Sequence, residues 1–153
     1  MNVSVIGAGP AGSYAALLLA KQGHNVNVFE DHPAIGVPVQ CTGIVTHALW
    51  DLIPKEKSII RTELDKVIVH GPNGKAMIPL HEFVLDRAKL DQYIAELAKK
   101  AGAKFHASHR FIRFDGKNVV VRHNSKEKVI PTDITIGADG PNSDVAKEAK
   151  IWT

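Results

Sequence analysis

The hydrophobic positions of the first thirty residues change their spacing twice. The apolar run VSVI stands directly before a glycine and is β-branched at Val3, Val5 and Ile6, which favours a buried strand. Residues 11–22 are rich in alanine and leucine and end at Gly23, which is typical of a helix and its C-terminal stop. The alternating NVNVFE predicts a second strand. The pattern therefore predicts a strand, a helix and a strand in succession.

The same alternation of strand and helix returns later in the chain. EFVL predicts a strand, and the apolar residues Leu90, Ile94, Leu97 and Ala101 recur at helical spacing before Gly102. A short strand follows that helix. The apolar ITIGA predicts another strand, and the DGPNS that follows it offers a turn and a cap for a last helix. This order of elements predicts an α/β fold with a parallel sheet.

Two segments between these elements predict antiparallel strands instead. LDKVIVHGPNGKAMIPLHEFVL has the pattern of a strand, a GPNG turn and a second strand, and we expect residues 64–85 to form the edge of a substrate lobe. RFIRFDGKNVVVRHNSKEKVIP predicts a small meander with turns at DGKN and HNSKE.

Composition narrows the class of protein. The 153 residues are 44% hydrophobic and 23% charged, which is ordinary for a globular domain. Basic residues are spread along the chain and the net charge is only +3, so we expect no nucleic-acid partner. The longest apolar run, residues 14–20, is far shorter than the roughly 18 residues of a membrane span. The lone Cys41 allows no internal disulfide and favours a reducing compartment, so we predict a cytoplasmic protein.

Three glycines after the first strand predict a phosphate site. In the G-x-G-x-x-G pattern, Gly7 permits a tight turn, Gly9 lets a pyrophosphate approach the backbone, and Gly12 lets the helix pack against the strand. Glu30 closes the second strand 18 residues after Gly12, where an acid binds the ribose hydroxyls of an adenine nucleotide. These residues predict a dinucleotide, either FAD or NAD.

Two later charged residues have alternative interpretations. Arg87 opens the predicted helix, where it is either a solvated or capping arginine or a contact for an anionic phosphate. Asp139, before Gly140, is either a turn former or a ligand-binding carboxylate at the end of a parallel strand. The eight histidines show no metal-site spacing, so we predict no metal site.

The segments GAGPAGSYAA, PAIGVPVQCTGI, VLDRAKLD and GADGPNS together resemble a known family. They resemble the para-hydroxybenzoate hydroxylase class of FAD-dependent oxidoreductases and, within it, the geranylgeranyl reductases that include archaeal digeranylgeranylglycerophospholipid reductases. The resemblance spans almost the whole chain. It implies FAD contacts at Ala11, Glu30, Cys41, Thr42 and Arg87, and it places the turn of Asp139 and Gly140 near the pyrophosphate. Taken alone, Cys41 is equally well explained as a small buried hydrophobe.

The resemblance also implies a fold and a function. The expected fold is a Rossmann-like FAD-binding domain over residues 1–153, with a parallel sheet, an antiparallel meander and part of a substrate-domain hairpin. We expect it to be the amino-terminal part of a longer flavoprotein, or a fragment, that works with the rest of the polypeptide or a complementary domain. The implied activity is reduction of isoprenoid double bonds in membrane lipid precursors, with NAD(P)H or ferredoxin as electron donor and peripheral contact with a membrane. The alternatives are an aromatic monooxygenase of the same class and a dinucleotide-binding module without activity of its own.

Overall fold

The computed structural model describes residues 1–151 and divides the chain into two compact units. The first unit comprises Met1–Val37 and the chain from Asp91 onward. The second unit is Pro38–Leu90.

The strands and helices of residues 1–151 have the following bounds. The strands are β1 (Asn2–Ile6), β2 (Asn25–Phe29), β3 (Ile44–Thr46), β4 (Ile60–Gly71), β5 (Gly74–Leu85), β6 (Lys104–His106), β7 (Arg110–Asp115), β8 (Asn118–His123), β9 (Lys126–Ile130) and β10 (Ile134–Gly137). The helices are α1 (Pro10–Lys21), α2 (Leu49–Leu52), α3 (Arg87–Lys100) and α4 (Asp144–Glu148), and a 3₁₀ turn covers Lys57–Ile59.

The first unit is built on a parallel sheet with the strand order β10-β1-β2-β6. Strand β1 lies in the middle, which explains why Val3 and Val5 are both almost completely buried. Helix α1 begins with Pro10, whose missing N–H costs little in a first turn, and the chain leaves it through Gly23 at φ +81°. The predicted strand, helix and strand are confirmed.

An apolar cluster holds the sheet to its helices. Its buried members come from strands β1 and β2, helices α1 and α3, and the loops beside them: Val3, Val5, Ala8, Ala16, Leu17, Ala20, Val26, Val28, Ala98 and Ala103. Most of the helical members are alanines, so the helices lie close to the sheet.

An antiparallel meander, β7-β8-β9, completes the first unit. Phe111, Val119 and Val121 of the meander share a second apolar cluster with Ile6 and Phe29 of the parallel sheet. The predicted meander is confirmed, and with the parallel sheet it confirms the predicted Rossmann-like α/β class.

The second unit contains the antiparallel sheet β3-β5-β4. Strands β4 and β5 form the predicted hairpin, although it spans residues 60–85 rather than 64–85. Several large apolar side chains of its outer half are exposed: Val67, Ile68, Val69, Met77 and Ile78. Assignment of this hairpin to a substrate lobe stays a prediction.

Candidate dinucleotide-binding site

Two of the three loop glycines are required by packing. Gly7 has φ +98°, and a Cβ there would stand 2.3 Å from the carbonyl oxygen of Ala138 at the end of β10. A Cβ on Gly12 would stand 2.0 Å from the carbonyl oxygen of Gly7. Because both distances are far below van der Waals contact, any side chain at these positions would separate α1 or β10 from the loop.

The third glycine faces open space. A Cβ on Gly9 would meet no atom within 4 Å, and Gly9 is the N-cap of α1. No side chain caps this helix and no acidic residue lies in its first turn, where Ala11 is exposed. The first-turn N–H groups and the positive end of the helix dipole are therefore without a side-chain cap. This is the arrangement that a pyrophosphate requires.

Glu30 follows β2 and reaches back to the glycine loop. Its Oε2 accepts a hydrogen bond of 2.7 Å from the backbone N–H of Ala8. Its Oε1 accepts one of 3.0 Å from the backbone N–H of His32 and lies 2.7 Å from Nδ1 of the same residue. The side chain of Glu30 is only 15% exposed. The carboxylate is thus fixed beside the glycine loop.

Backbone hydrogen bonds hold the segment around Glu30. Its N–H donates to the carbonyl of His106, and its carbonyl accepts from the N–H of His109. Gly7 N–H donates to the carbonyl of Phe29, which ties the glycine loop to the end of β2. A pocket of about 270 Å³ borders Glu30, and its apolar wall comes from residues after β2, on α3 and along β6: Pro33, Ile35, Ala95, Phe105 and Ala107.

Two stacked pairs of rings lie near the end of β2. Phe29 stacks on His106 at a centroid distance of 4.9 Å, and His109 stacks on His123 at 4.3 Å. His106 and His109 are 5.5 Å apart. Burial lowers the pKa of His106, with His109 and nearby lysines adding to the effect. In the part of the chain that the structure describes, no group of three His, Cys, Asp or Glu side chains is arranged to hold a metal ion.

Asp139 follows β10 and binds the first turn of α4, whose N-cap is Ser143. Its Oδ1 accepts a hydrogen bond of 2.6 Å from Ser143 Oγ, and its Oδ2 accepts one of 3.1 Å from the N–H of Val145. Gly140 follows in the left-handed region at φ +84°. Both carboxylate oxygens are therefore engaged in the turn, so the geometry favours the turn-forming interpretation of Asp139. A role for this turn near a pyrophosphate stays a prediction.

The other three predicted residues lie in the second unit. Cys41 and Thr42 are exposed, and Arg87, at the first position of α3, is half-buried. The N–H of Gly43 donates to Cys41 Sγ at 3.5 Å, and this bond, together with Arg87, lowers the pKa of the thiol. Exposure contradicts the interpretation of Cys41 as a small buried hydrophobe, because the loop leaves its side chain in solvent.

The structure therefore brings together the glycine loop, Glu30 and the turn after β10 within the first unit. Cys41 and Arg87 are neighbours in the second unit. Sequence reasoning missed His32 and the N–H of Ala8, which are the actual partners of Glu30. A polar residue two positions after a strand-ending acid was the available signal for His32.

The chain is similar to known proteins. The NAD(P)-binding Rossmann-like domain family matches residues 5–43. The chain is 35% identical to digeranylgeranylglycerophospholipid reductase 2 of Methanopyrus kandleri, over 98% of this chain and 40% of that protein. It is also 35% identical to an uncharacterized protein in the nifH2 5′ region of Methanosarcina barkeri, over 95% of this chain and 86% of that protein.

A solved structure is similar over the same extent. The geranylgeranyl bacteriochlorophyll reductase-like protein of Thermoplasma acidophilum is 30% identical with a TM-score of 0.89, and the match covers 97% of this chain and 41% of that one. The chain thus spans about 40% of the length of the named reductases that it matches. Among residues 1–151, no helix is both long enough and apolar enough to cross a membrane.

Proposed function

The chain belongs to the geranylgeranyl reductase family of flavoproteins, and from that premise we propose that its first unit binds the ADP half of FAD in an isoprenoid-lipid reductase. Gly9 carries this proposal, because the space beside it is open and lies at the uncapped N-terminus of α1. Glu30 supports it from the same unit, since its carboxylate stands at the end of β2 next to the glycine loop.

FAD supplies the redox chemistry when bound, and the protein supplies binding and orientation. The glycine loop receives the pyrophosphate, Glu30 the ribose, and the pocket beside Glu30 has the apolar walls that an adenine ring requires. We propose further that Cys41, Thr42 and Arg87 contact the cofactor, in line with the resemblance of their segments to the family. The exposed thiol of Cys41 supports this assignment, because an exposed side chain is available to a ligand.

We propose that the substrate is an isoprenoid lipid whose double bonds accept a hydride and a proton. NAD(P)H and ferredoxin are the two candidate electron donors. A lipid substrate also implies that the complete enzyme works at the surface of a membrane, as a peripheral protein. The names of the matched reductases support the substrate class.

A nucleotide titration tests the cofactor assignment. We expect ADP to compete with FAD, because both carry the adenosine and pyrophosphate that the glycine loop and Glu30 recognise. FMN lacks the adenosine, so it should compete at least about tenfold more weakly, a difference of about 1.4 kcal/mol. Equal competition by FMN would contradict the assignment of the glycine loop.

Gly9→Val sharpens that test. The valine side chain would fill the space that the pyrophosphate needs, while the extended backbone of Gly9, at φ −66°, accepts valine. We expect loss of FAD and ADP binding with an unchanged circular dichroism spectrum. Gly71→Val is the matched control, because Gly71 also has space for a Cβ and lies on the hairpin. Normal FAD binding by Gly9→Val would leave the loop with a purely structural role.

A chimera tests the substrate class. Residues 1–151 would replace the matching part of the Methanopyrus reductase, because the match covers 98% of this chain. We expect the chimera to bind FAD and to add two hydrogen atoms to each reduced double bond of a digeranylgeranyl lipid, with electrons from dithionite and protons from water, as measured by mass spectrometry. The same chimera carrying Gly9→Val should do neither. A chimera that binds FAD but leaves the lipid unchanged would argue against the substrate class.

A further inference from the structure

We propose that His32 is a specificity-determining residue that occupies the ribose site of Glu30 and must swing away before a nucleotide with both ribose hydroxyls can bind. The inference rests on the proposed binding of an adenine dinucleotide at this site. Without a nucleotide, the imidazole of His32 binds the Glu30 carboxylate. A ribose replaces the imidazole when a nucleotide binds.

The carboxylate of Glu30 can accept only a limited number of hydrogen bonds. An ionised carboxylate has about four lone-pair positions on its two oxygens. The N–H of Ala8 uses one on Oε2, and the N–H and the Nδ1 of His32 take two on Oε1. One position remains. A ribose that binds through both its 2′ and 3′ hydroxyls needs two, so one protein donor must leave.

Burial decides which donor leaves. The residue Ala8 is 1% exposed, and its N–H lies in the glycine loop, where an unpaired backbone N–H costs about 1–3 kcal/mol. The His32 side chain is 49% exposed, so its Nδ1 exchanges the carboxylate for water with a much smaller penalty. The imidazole is therefore the donor that a ribose displaces.

The backbone of His32 does not need to move. Its N–H donates to Oε1 of Glu30, and its carbonyl accepts a hydrogen bond of 3.0 Å from the N–H of Ser108. The backbone N–H and carbonyl of Glu30 are bonded to His106 and His109. Because both residues are fixed to the chain around β6, rotation of the imidazole about its side-chain bonds is sufficient to open the carboxylate.

The experiment compares ADP with 2′-deoxy-ADP in the wild-type protein and in His32→Ala. The displaced hydrogen bond goes to a carboxylate but is half-exposed, so solvent reduces its contribution to about 0.5–1.5 kcal/mol, which corresponds to about twofold to twelvefold in affinity. We expect His32→Ala to bind ADP more tightly by a factor in that range. The affinity for 2′-deoxy-ADP should stay unchanged, because its single remaining hydroxyl fits the one free position. His24→Ala, outside the site, is the matched control and should change neither affinity.

A double variant separates competition from a purely structural effect. In a Glu30→Ala background, His32→Ala should leave the ADP affinity unchanged, because the group for which His32 competes is gone. Weaker ADP binding by His32→Ala, or an equal gain for both nucleotides, would overturn the proposal. Failure of the wild-type protein to bind either nucleotide would count against the proposed function itself. That outcome differs from the results that would overturn the role of His32.

Discussion

Strands of similar composition are buried in the first unit and exposed in the second. Ile6 of β1 is 4% exposed, between neighbouring parallel strands and against the meander cluster. Ile68 of β4 is 41% exposed, although it too lies in a β-branched run and is paired within a hairpin. β-branched runs therefore predict the backbone conformation, whereas burial depends on what packs against the faces of the sheet.

The difference extends to function. In the first unit, buried strands hold the glycine loop and Glu30 through backbone hydrogen bonds at their ends. In the second unit, the outer half of the hairpin presents apolar side chains to solvent. Exposed apolar patches of this kind mark surfaces that bind other molecules or other parts of a protein.

The largest expected effect is on the free energy of unfolding, which should respond differently to the same substitution in the two units. Ile6→Ala should lower the free energy of unfolding by about 2–5 kcal/mol, because it leaves a cavity in a packed core. Ile68→Ala, the same substitution on the hairpin, should change it by about 0.5 kcal/mol or less. Urea unfolding followed by circular dichroism measures both. Equal losses would mean that the hairpin is as well packed as the parallel sheet.

The second effect concerns ligand binding and should be confined to the first unit. Glu30→Ala removes the carboxylate that we propose as the acceptor for the ribose hydroxyls and should weaken ADP binding by about 1–3 kcal/mol. Glu63→Ala, on an exposed position of β4, is the matched control and should leave the affinity unchanged. Calorimetric titration of both variants decides. Unchanged affinity in Glu30→Ala would remove this residue from the site.

The sequence predicted the parts of the fold that depend on local signals. The β1, α1 and β2 succession follows from apolar spacing and three glycines, and the contacts of Gly7 and Gly12 explain why those glycines are required. The hairpin and the meander follow from strand runs that flank turn residues. Each signal lies within a few residues of the structure that it specifies, so no knowledge of distant contacts was needed.

Contacts between segments that are distant along the chain could not be predicted from the sequence. The N–H of Ala8 meets Glu30 because β1 and β2 are adjacent, and the hydrogen bonds from residues 106–109 depend on where β6 pairs. The exposure of Cys41 and of the hairpin depends on what surrounds them in space. The role of Asp139 was left open because a strand-ending acid serves a turn or a ligand equally well; only its bonds to Ser143 and Val145 favour the turn.

A smaller effect concerns the pH dependence of stability in the packed unit. Burial lowers the pKa of His106, so the folded chain binds fewer protons there than the unfolded chain, whose histidines titrate near about 6.5. The free energy of unfolding should therefore fall as the pH drops below about 6.5, until the folded histidine also protonates. His106→Phe, which keeps a ring beside Phe29, should remove this part of the slope. His81→Phe on the exposed hairpin should keep it, and identical slopes in both variants would contradict the assignment.

The smallest effect tests whether the second unit also shifts the pKa of a titratable group. The N–H of Gly43 and the side chain of Arg87 lower the pKa of Cys41, so its thiolate fraction at neutral pH exceeds that of an ordinary thiol. Arg87→Met should raise the pKa and slow alkylation by iodoacetamide severalfold at pH 7, since only the thiolate reacts. The rates of variant and wild type should converge above about pH 10, where an ordinary thiol of pKa about 8.5 is fully ionised. Lys89→Met, which removes a cation two residues further along α3, is the matched control and should react like the wild type. A rate difference that persists at high pH would mean that Arg87 controls access to the sulfur rather than its ionisation.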